Sequence, residues 1–189
     1  MDSPLLAGFS EGLVAAGVGS LRFNFPYKQL GRRAPDPPTV LRATFSAAFE
    51  EAAHRVEGAP VFAGGKSLGG RIASLVAADG LPARGLVFVG YPLHPPGKPE
   101  RLRDEHLDRI DVPMLFLEGT RDPFALWDLV ESVCRRLGAG ARLHAVEGAD
   151  HSFRVRGEHV PDHDIGRRLA EPAAAFIQEI GARRGRESP

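Results

Sequence analysis

The residue best placed to act as a nucleophile is a serine with a glycine two positions away on each side. Ser67 lies in the pentapeptide Gly-Lys-Ser-Leu-Gly at 65–69, between an apolar strand expected at Pro60–Ala63 and a helix expected at Leu68–Ala78. A Gly-x-Ser-x-Gly sequence in that setting is typical of a sharp strand-to-helix turn that lifts a serine hydroxyl above a sheet. The flanking glycines are then required, because side chains there would collide with the turn. Ser67 is therefore a candidate nucleophile.

The same residues also contain Gly-Lys-Ser, which can end a phosphate-binding P-loop. That motif needs a glycine five residues before Gly65, and the chain has Pro60 there. The residues between them read as a strand rather than a glycine-rich loop. A nucleotide site is not expected.

A serine nucleophile needs a base and an acid that orients the base. Asp122 follows a strand expected at Val112–Glu118, and His151 follows one expected at Ala141–Val146. The chain order serine, aspartate, histidine is the order found with this type of nucleophile turn. Asp122 also precedes a proline, so a helix N-cap or turn role remains an alternative.

The other histidines compete for a role. His144 lies inside the last expected strand and is interpreted as packed or facing the surface. His159 and His163 are four residues apart with acidic neighbours, a spacing that suggests a metal pair on a helix. Pro161 lies between them and argues against that helix. Neither a metal site nor a cofactor is expected.

The elements that must position these residues alternate between apolar strands and helices, which predicts an α/β fold. We expect a three-layer α/β/α sandwich with a mostly parallel sheet covered on both faces. Further strands are expected at Val18–Phe25 and Gly85–Gly90, five in all. Further helices are expected at Pro4–Ala16, from an N-cap at Thr39 to Val56, at Phe124–Leu137 and at Ile165–Ala182.

Length and composition narrow the class of protein. The chain has 189 residues, enough for one domain with a real core, expected at residues 1–182 with a flexible tail at 183–189. Lys+Arg and Asp+Glu number 24 each, so neither nucleic acid nor an anionic membrane is expected as a partner. One cysteine, Cys134, excludes an internal disulfide and suits a reducing compartment. Without an apolar run of membrane length or a signal peptide, we expect a cytoplasmic protein.

Six blocks occur in order along the chain: Met1–Pro4, Arg22–Tyr27, Gly64–Arg71, Gly90–Pro99, Gly119–Phe124 and Gly148–Phe153. Together they resemble the α/β-hydrolase superfamily. They resemble in particular a compact branch with a minimal lid, that of the dienelactone-hydrolase-like proteins, with testis-expressed and chromatin-complex hydrolase-like relatives in eukaryotes. The resemblance covers the chain from its first residue to about Phe153.

The resemblance implies a role for each matched residue. Ser67 would be the nucleophile, His151 the general base and acid, and Asp122 the orienting carboxylate. The backbone N–H of Leu68 would stabilise the oxyanion. Lys66 would either lie near a substrate carboxylate or, as we favour, be an exposed solubilising side chain. Residues that follow strand ends would line a shallow acyl pocket, with ordinary loop packing as the alternative: Phe25, Pro26, Tyr27, Tyr91 and Phe124.

The family pattern also includes a segment before the block at Met1–Pro4. Relatives carry an apolar strand there, followed by a His-Gly-rich loop that supplies a second oxyanion N–H. We expect either a longer natural protein, which an intact mass would reveal, or a reduced variant. A chain lacking that strand is also expected to associate as a homo-oligomer that covers exposed edges.

The resemblance implies a serine hydrolase that cleaves a small carboxylic ester or thioester through an acyl-enzyme on Ser67. The alternative is a non-catalytic binding or scaffold module whose activity was lost with the oxyanion loop. The two readings differ in geometry, because only catalysis requires the serine, histidine and aspartate side chains to meet.

Overall fold

The computed structural model describes residues 3–182. Within them it contains six α-helices and four β-strands. The helices are α1 (Pro4–Ala15), α2 (Pro26–Gln29), α3 (Pro38–Arg55), α4 (Leu68–Ala78), α5 (Trp127–Leu137) and α6 (Asp162–Ala182). The strands are β1 (Ala63–Lys66), β2 (Leu86–Val89), β3 (Met114–Gly119) and β4 (Ala141–Val146). Short 3-10 turns lie at Leu107–Arg109 and Gly138–Gly140.

The four strands form one parallel sheet in the order β1-β2-β3-β4. Gly65 pairs with Phe88, Phe88 with Phe116, and Phe116 with Leu143. The carboxyl ends of all four strands therefore lie along one edge of the sheet, which is where loops can bring separate side chains together.

Alternate residues of the central strands point to opposite faces, because successive strand side chains alternate. Phe88 and Phe116 belong to a core shared with helices α3, α4 and α5. Val89 and Leu117 belong to a second core shared with α1 and α6. The predicted three-layer α/β/α sandwich with a parallel sheet is confirmed by this arrangement.

The strand predicted at Val18–Phe25 is wrong, because this segment forms no ladder with any strand in residues 3–182. The segment follows α1 and does not enter the sheet described within residues 3–182. Its side chains Phe23 and Phe25 pack against the hydrophobic core instead. Phe23 lies edge-on to Phe45 of α3 at 5.4 Å between ring centroids. The apolar residues of this segment therefore indicate packing against the core rather than pairing with a strand. The described sheet has four strands, not five.

Several helices and strands begin or end at residues other than those predicted. The strand before the serine is Ala63–Lys66, not Pro60–Ala63, so its glycines are part of the ladder. Helix α3 begins at Pro38 with Pro37 at its N-cap, not with a Thr39 cap. Helix α5 begins three residues after the predicted Phe124. The predicted tail at 183–189 lies outside the described residues.

Candidate active site

The turn between β1 and α4 holds Ser67 in an unusual backbone conformation. Its φ is 51° and its ψ is −116°, a region that residues other than glycine enter only when the surrounding structure imposes it. Lys66, the last residue of β1, precedes it, and Leu68, the first residue of α4, follows it. This is the sharp strand-to-helix turn that the sequence predicted.

Close backbone packing explains only part of the glycine pattern. A Cβ on Gly65 would lie 2.8 Å from the carbonyl carbon of Gly69, and one on Gly70 would lie 2.7 Å from the carbonyl oxygen of Gly65. A Cβ on Gly69 would meet no atom within 4 Å. The prediction that both flanking glycines are sterically required is therefore right for Gly65 and wrong for Gly69, where Gly70 is the crowded position.

The structure brings together the three side chains expected to form a triad. Ser67 Oγ lies 2.9 Å from His151 Nε2, and His151 Nδ1 lies 2.6 Å from Asp122 Oδ2. Because an ionised carboxylate only accepts hydrogen bonds, Nδ1 must carry the proton facing Asp122. Neutral imidazole then leaves Nε2 free to accept the hydroxyl proton of Ser67. The arrangement can therefore transfer the proton that a serine nucleophile must lose.

Asp122 is fixed on both of its carboxylate oxygens. Its side chain is fully buried, and its Oδ1 accepts a 2.7 Å hydrogen bond from the Phe124 backbone N–H. The turn role and the predicted orienting role of Asp122 are compatible in geometry, because each would use a different oxygen. The turn itself determines which oxygen is left for His151.

The loop that carries His151 approaches β3 closely enough to require a glycine. A Cβ on Gly119, the last residue of β3, would lie 2.4 Å from the Ala149 carbonyl oxygen. The Arg121 N–H donates to that same oxygen at 2.9 Å. This contact brings the loops after β3 and β4 side by side, which places His151 next to Asp122.

Leu68 offers a backbone donor at the position predicted for oxyanion stabilisation. As the first residue of α4, it has an N–H with no partner inside the helix. The partial positive charge at a helix N-terminus favours negative charge at the same place. An oxygen anion that forms next to Ser67 would therefore meet a donor already in position.

The five predicted pocket residues have different environments. The Phe124 ring packs against the His151 imidazole, with centroids 4.5 Å apart. Tyr91 is 1% exposed and its hydroxyl donates to the Arg103 carbonyl, so it is a core residue that cannot line an open pocket. Tyr27 is also buried, and its ring stacks on Phe25 at 6.4 Å. Pro26 begins the short helix α2. Both tyrosines are therefore packing residues, Tyr27 in helix α2 and Tyr91 in the loop after β2.

Lys66 differs from its predicted environment, and Glu118 is a buried residue near the site that was not predicted. Lys66 is not an exposed solubilising residue: it is half-buried, and its ammonium donates to the His151 carbonyl oxygen at 2.9 Å. Glu118 of β3 is fully buried, and its Oε1 accepts from the Tyr91 N–H. Burial raises the pKa of the Glu118 carboxyl well above its ordinary value. A charged residue at the end of an otherwise apolar strand was the available signal for Glu118.

The histidines outside the triad have structural or surface positions. His144 of β4 is exposed, in agreement with one of its two predicted readings. His163 lies in α6 and pairs with Glu11 of α1 at 3.0 Å, while His159 precedes that helix. Among residues 3–182, no group of three or more metal-ligating side chains is close enough to hold an ion. In the same range no helix is long and apolar enough to cross a membrane.

A family of alpha/beta hydrolase domains matches residues 1–178. The chain belongs to this family. The match covers Ser67, Asp122 and His151, so the turn at Ser67 lies within the alpha/beta hydrolase domain. Membership of this family supports the conclusion that the protein is a hydrolase, in agreement with the hydrogen bonds that join Ser67, His151 and Asp122.

Solved structures support the same fold. A serine hydrolase homologue from Coxiella burnetii is 19% identical with a TM-score of 0.72, covering 94% of this chain and 77% of its own. A protein of unknown function from Agrobacterium tumefaciens, described as an alpha/beta hydrolase, is 15% identical with a TM-score of 0.73, covering 100% and 82%. An esterase domain from Rhodothermus marinus is 15% identical with a TM-score of 0.68, covering 94% and 81%.

Proposed function

We propose that this hydrolase is serine-dependent and cleaves small carboxylic esters or thioesters through an acyl-enzyme on Ser67. The observation that carries the proposal is the continuous chain of hydrogen bonds from Ser67 Oγ through His151 to Asp122, at 2.9 and 2.6 Å. A binding module has no physical need for that chain, which is why we favour catalysis over a scaffold role. The likeness to a dienelactone-hydrolase-like branch remains part of the proposal.

In the proposed first half-reaction, Ser67 Oγ attacks the carbonyl carbon of the substrate. His151 Nε2 takes the hydroxyl proton, and the Asp122 carboxylate stabilises the resulting imidazolium. The Leu68 N–H donates to the oxyanion. When the carbon–oxygen or carbon–sulfur bond breaks, His151 returns the proton to the departing alcohol or thiol.

The second half-reaction uses the same groups in reverse. A water molecule gives a proton to His151 Nε2 and attacks the acyl carbon. The bond from that carbon to Ser67 Oγ then breaks, the serine recovers its proton, and the acid leaves. No step requires a cofactor.

Two features of the chain indicate where the substrate would bind. Between β2 and β3 the described chain forms only one short 3-10 turn, at Leu107–Arg109, so this connection adds no cap domain over the site. A groove of about 510 Å³ does exist, but it lies beside β4 and α6, and its walls include His144, Phe153 and Arg168 rather than any triad residue. We therefore assign the proposed acyl site to the open surface around Ser67 and Phe124.

A fluorophosphonate probe tests the proposal because it reacts with an activated serine without requiring the natural substrate. We expect labelling of the wild type and loss of labelling in Ser67→Ala. Ser132→Ala is the matched control, because Ser132 is exposed on α5 and should label as the wild type does. An unlabelled wild type, or equal labelling of Ser67→Ala, would reject a serine nucleophile at this position.

A further inference from the structure

Lys66 links the strand that carries the nucleophile to the loop that carries the imidazole. Its ammonium nitrogen lies 2.9 Å from the His151 carbonyl oxygen, across 85 positions of sequence. Lys66 is also the last residue of β1 and is bonded directly to Ser67. One side chain therefore spans the two parts of the chain that must stay in register for proton transfer.

The His151 carbonyl depends on this side chain. Throughout residues 3–182, no backbone N–H donates to it. The neighbouring backbone bonds close the loop on itself, with Asp150 N–H donating to the Arg154 carbonyl at 3.0 Å and Phe153 N–H to the Asp150 carbonyl at 2.8 Å. These bonds shape the loop but do not connect His151 to the strand of the nucleophile.

The surroundings of Lys66 hold its ammonium in place. Burial lowers the pKa of the ammonium, and the nearby carboxylate of Asp122 is the largest charge that opposes that shift. A partly desolvated ammonium needs a partner, and the His151 carbonyl supplies one.

We propose that Lys66 is a positioning residue, whose ammonium holds the His151 backbone so that the imidazole stays within hydrogen-bond reach of Ser67. The inference rests on the proposed serine-hydrolase function. His151 is then held at three points, its Nδ1 by Asp122, its ring by Phe124 and its carbonyl by Lys66. A displacement of about 1 Å at a reacting group costs on the order of 100-fold in rate.

Kinetics of Lys66→Met test the inference, with p-nitrophenyl acetate and p-nitrophenyl hemisuccinate as a neutral and an anionic ester. We expect kcat to fall about 10- to 100-fold on both esters, with KM changed less than about twofold. Lys98→Met is the matched control, because Lys98 is exposed in a loop and should leave both constants unchanged. A kcat within about twofold of the wild type, or a rise in KM confined to the hemisuccinate, would overturn the positioning role.

Chemical rescue separates the ammonium from the bulk of the side chain. Lys66→Cys treated with 2-bromoethylamine acquires a thioether analogue of lysine. The other thiol, Cys134, is half-buried, and burial raises its pKa to about 12, so it should react slowly. Recovery of most of the lost kcat is expected. Failure to recover in a variant that folds as the wild type does would contradict the role assigned to the ammonium.

A measurement that needs no turnover keeps this inference separate from the proposed function. The proton between His151 Nδ1 and Asp122 should give a low-field signal in NMR spectra of histidine-labelled protein, absent in His151→Gln. We expect Lys66→Met to shift or broaden that signal and Lys98→Met to leave it unchanged. If the wild type resists the fluorophosphonate, the proposed function fails, and this signal alone decides the role of Lys66. An unchanged signal in Lys66→Met refutes it.

Discussion

Replacing Asp122 with asparagine tests the proton arrangement of the triad most directly. Asp122 uses both oxygens, Oδ1 for the Phe124 N–H and Oδ2 for the His151 imidazole. Asparagine has only one oxygen. If that oxygen stays with Phe124, the amide NH2 faces His151 Nδ1 and selects the tautomer with the proton on Nε2. His151 can then no longer accept the proton of Ser67.

The opposite orientation of the amide does not rescue the site. It would place the NH2 against the Phe124 N–H, two donors facing each other at a fully buried position. Such a mismatch costs about 1–3 kcal/mol. The wrong tautomer should therefore dominate, which accounts for a loss of about 10- to 100-fold. Asparagine also removes the negative charge that would stabilise the imidazolium, and the two effects together should cost about 10⁴ in rate, equivalent to about 5 kcal/mol in the activation barrier.

The assay is the second-order rate constant for fluorophosphonate labelling of Asp122→Asn, measured beside its unfolding transition in urea. The matched control is Asp150→Asn, because Asp150 lies next to His151 and accepts from the Ser152 and Arg154 backbone N–H groups, which an asparagine oxygen can also do. We expect the control to label within about threefold of the wild type. If Asp122→Asn is folded and labels within about tenfold of the wild type, the tautomer argument is wrong.

Three further outcomes can be measured by urea unfolding. Gly65→Ala should lose about 1–3 kcal/mol because its Cβ would lie 2.8 Å from backbone. Gly69→Ala should lose nothing and gain up to about 1 kcal/mol, because Gly69 lies in α4 and its Cβ would meet no atom; equal losses would contradict the crowding argument. Burial lowers the pKa of His106 from 6.5 to about 4, so between these pH values the unfolded state binds more protons than the folded state. The free energy of unfolding of the wild type should therefore fall by about 2 kcal/mol relative to that of His106→Gln as pH falls from 7 to 4, after allowance for screening. A difference that stays constant with pH would refute this. Burial raises the pKa of Glu118, so above pH 4.5 the carboxyl ionises in the unfolded state before it does in the folded state. Glu118→Gln should therefore gain stability over the wild type as pH rises above 4.5. If the stabilities of the two proteins change with pH in parallel, a buried neutral carboxyl is refuted.

The sequence was sufficient to predict the layers and the triad order because both depend on local patterns. Near-continuous apolar runs at β2 and β3 indicated a parallel sheet buried on both faces. The loops that follow parallel strands share one edge of the sheet, so Asp122 and His151 were expected near Ser67 without knowledge of any distance.

Other features depend on contacts between distant segments. Nothing in the sequence around Lys66 indicates that its side chain reaches the carbonyl of a residue 85 positions away. The apolar pattern at Val18–Phe25 predicts burial equally well with or without a strand partner, and here Phe23 is partly buried by packing on Phe45 of α3. Tyr91 follows a strand end, as an active-site residue would, yet its hydroxyl turns into the core.

A second serine–histidine pair shows why proximity alone does not define an active site. Ser74 Oγ lies 2.7 Å from His106 Nε2, closer than the 2.9 Å of Ser67 and His151. Ser74 is fully buried, so no substrate carbonyl can reach it.

The two imidazoles also differ in the charges around them. Burial lowers the pKa of His106, and the positive charges of Arg71 and Arg109 lower it further. The carboxylate of Asp104 opposes this shift without reversing it. His151 instead faces the carboxylate of Asp122, which in the proposed reaction would stabilise the imidazolium formed when serine loses its proton. Access and the sign of the neighbouring charge, rather than the serine–histidine distance, therefore make Ser67 the expected nucleophile and Ser74 a structural residue.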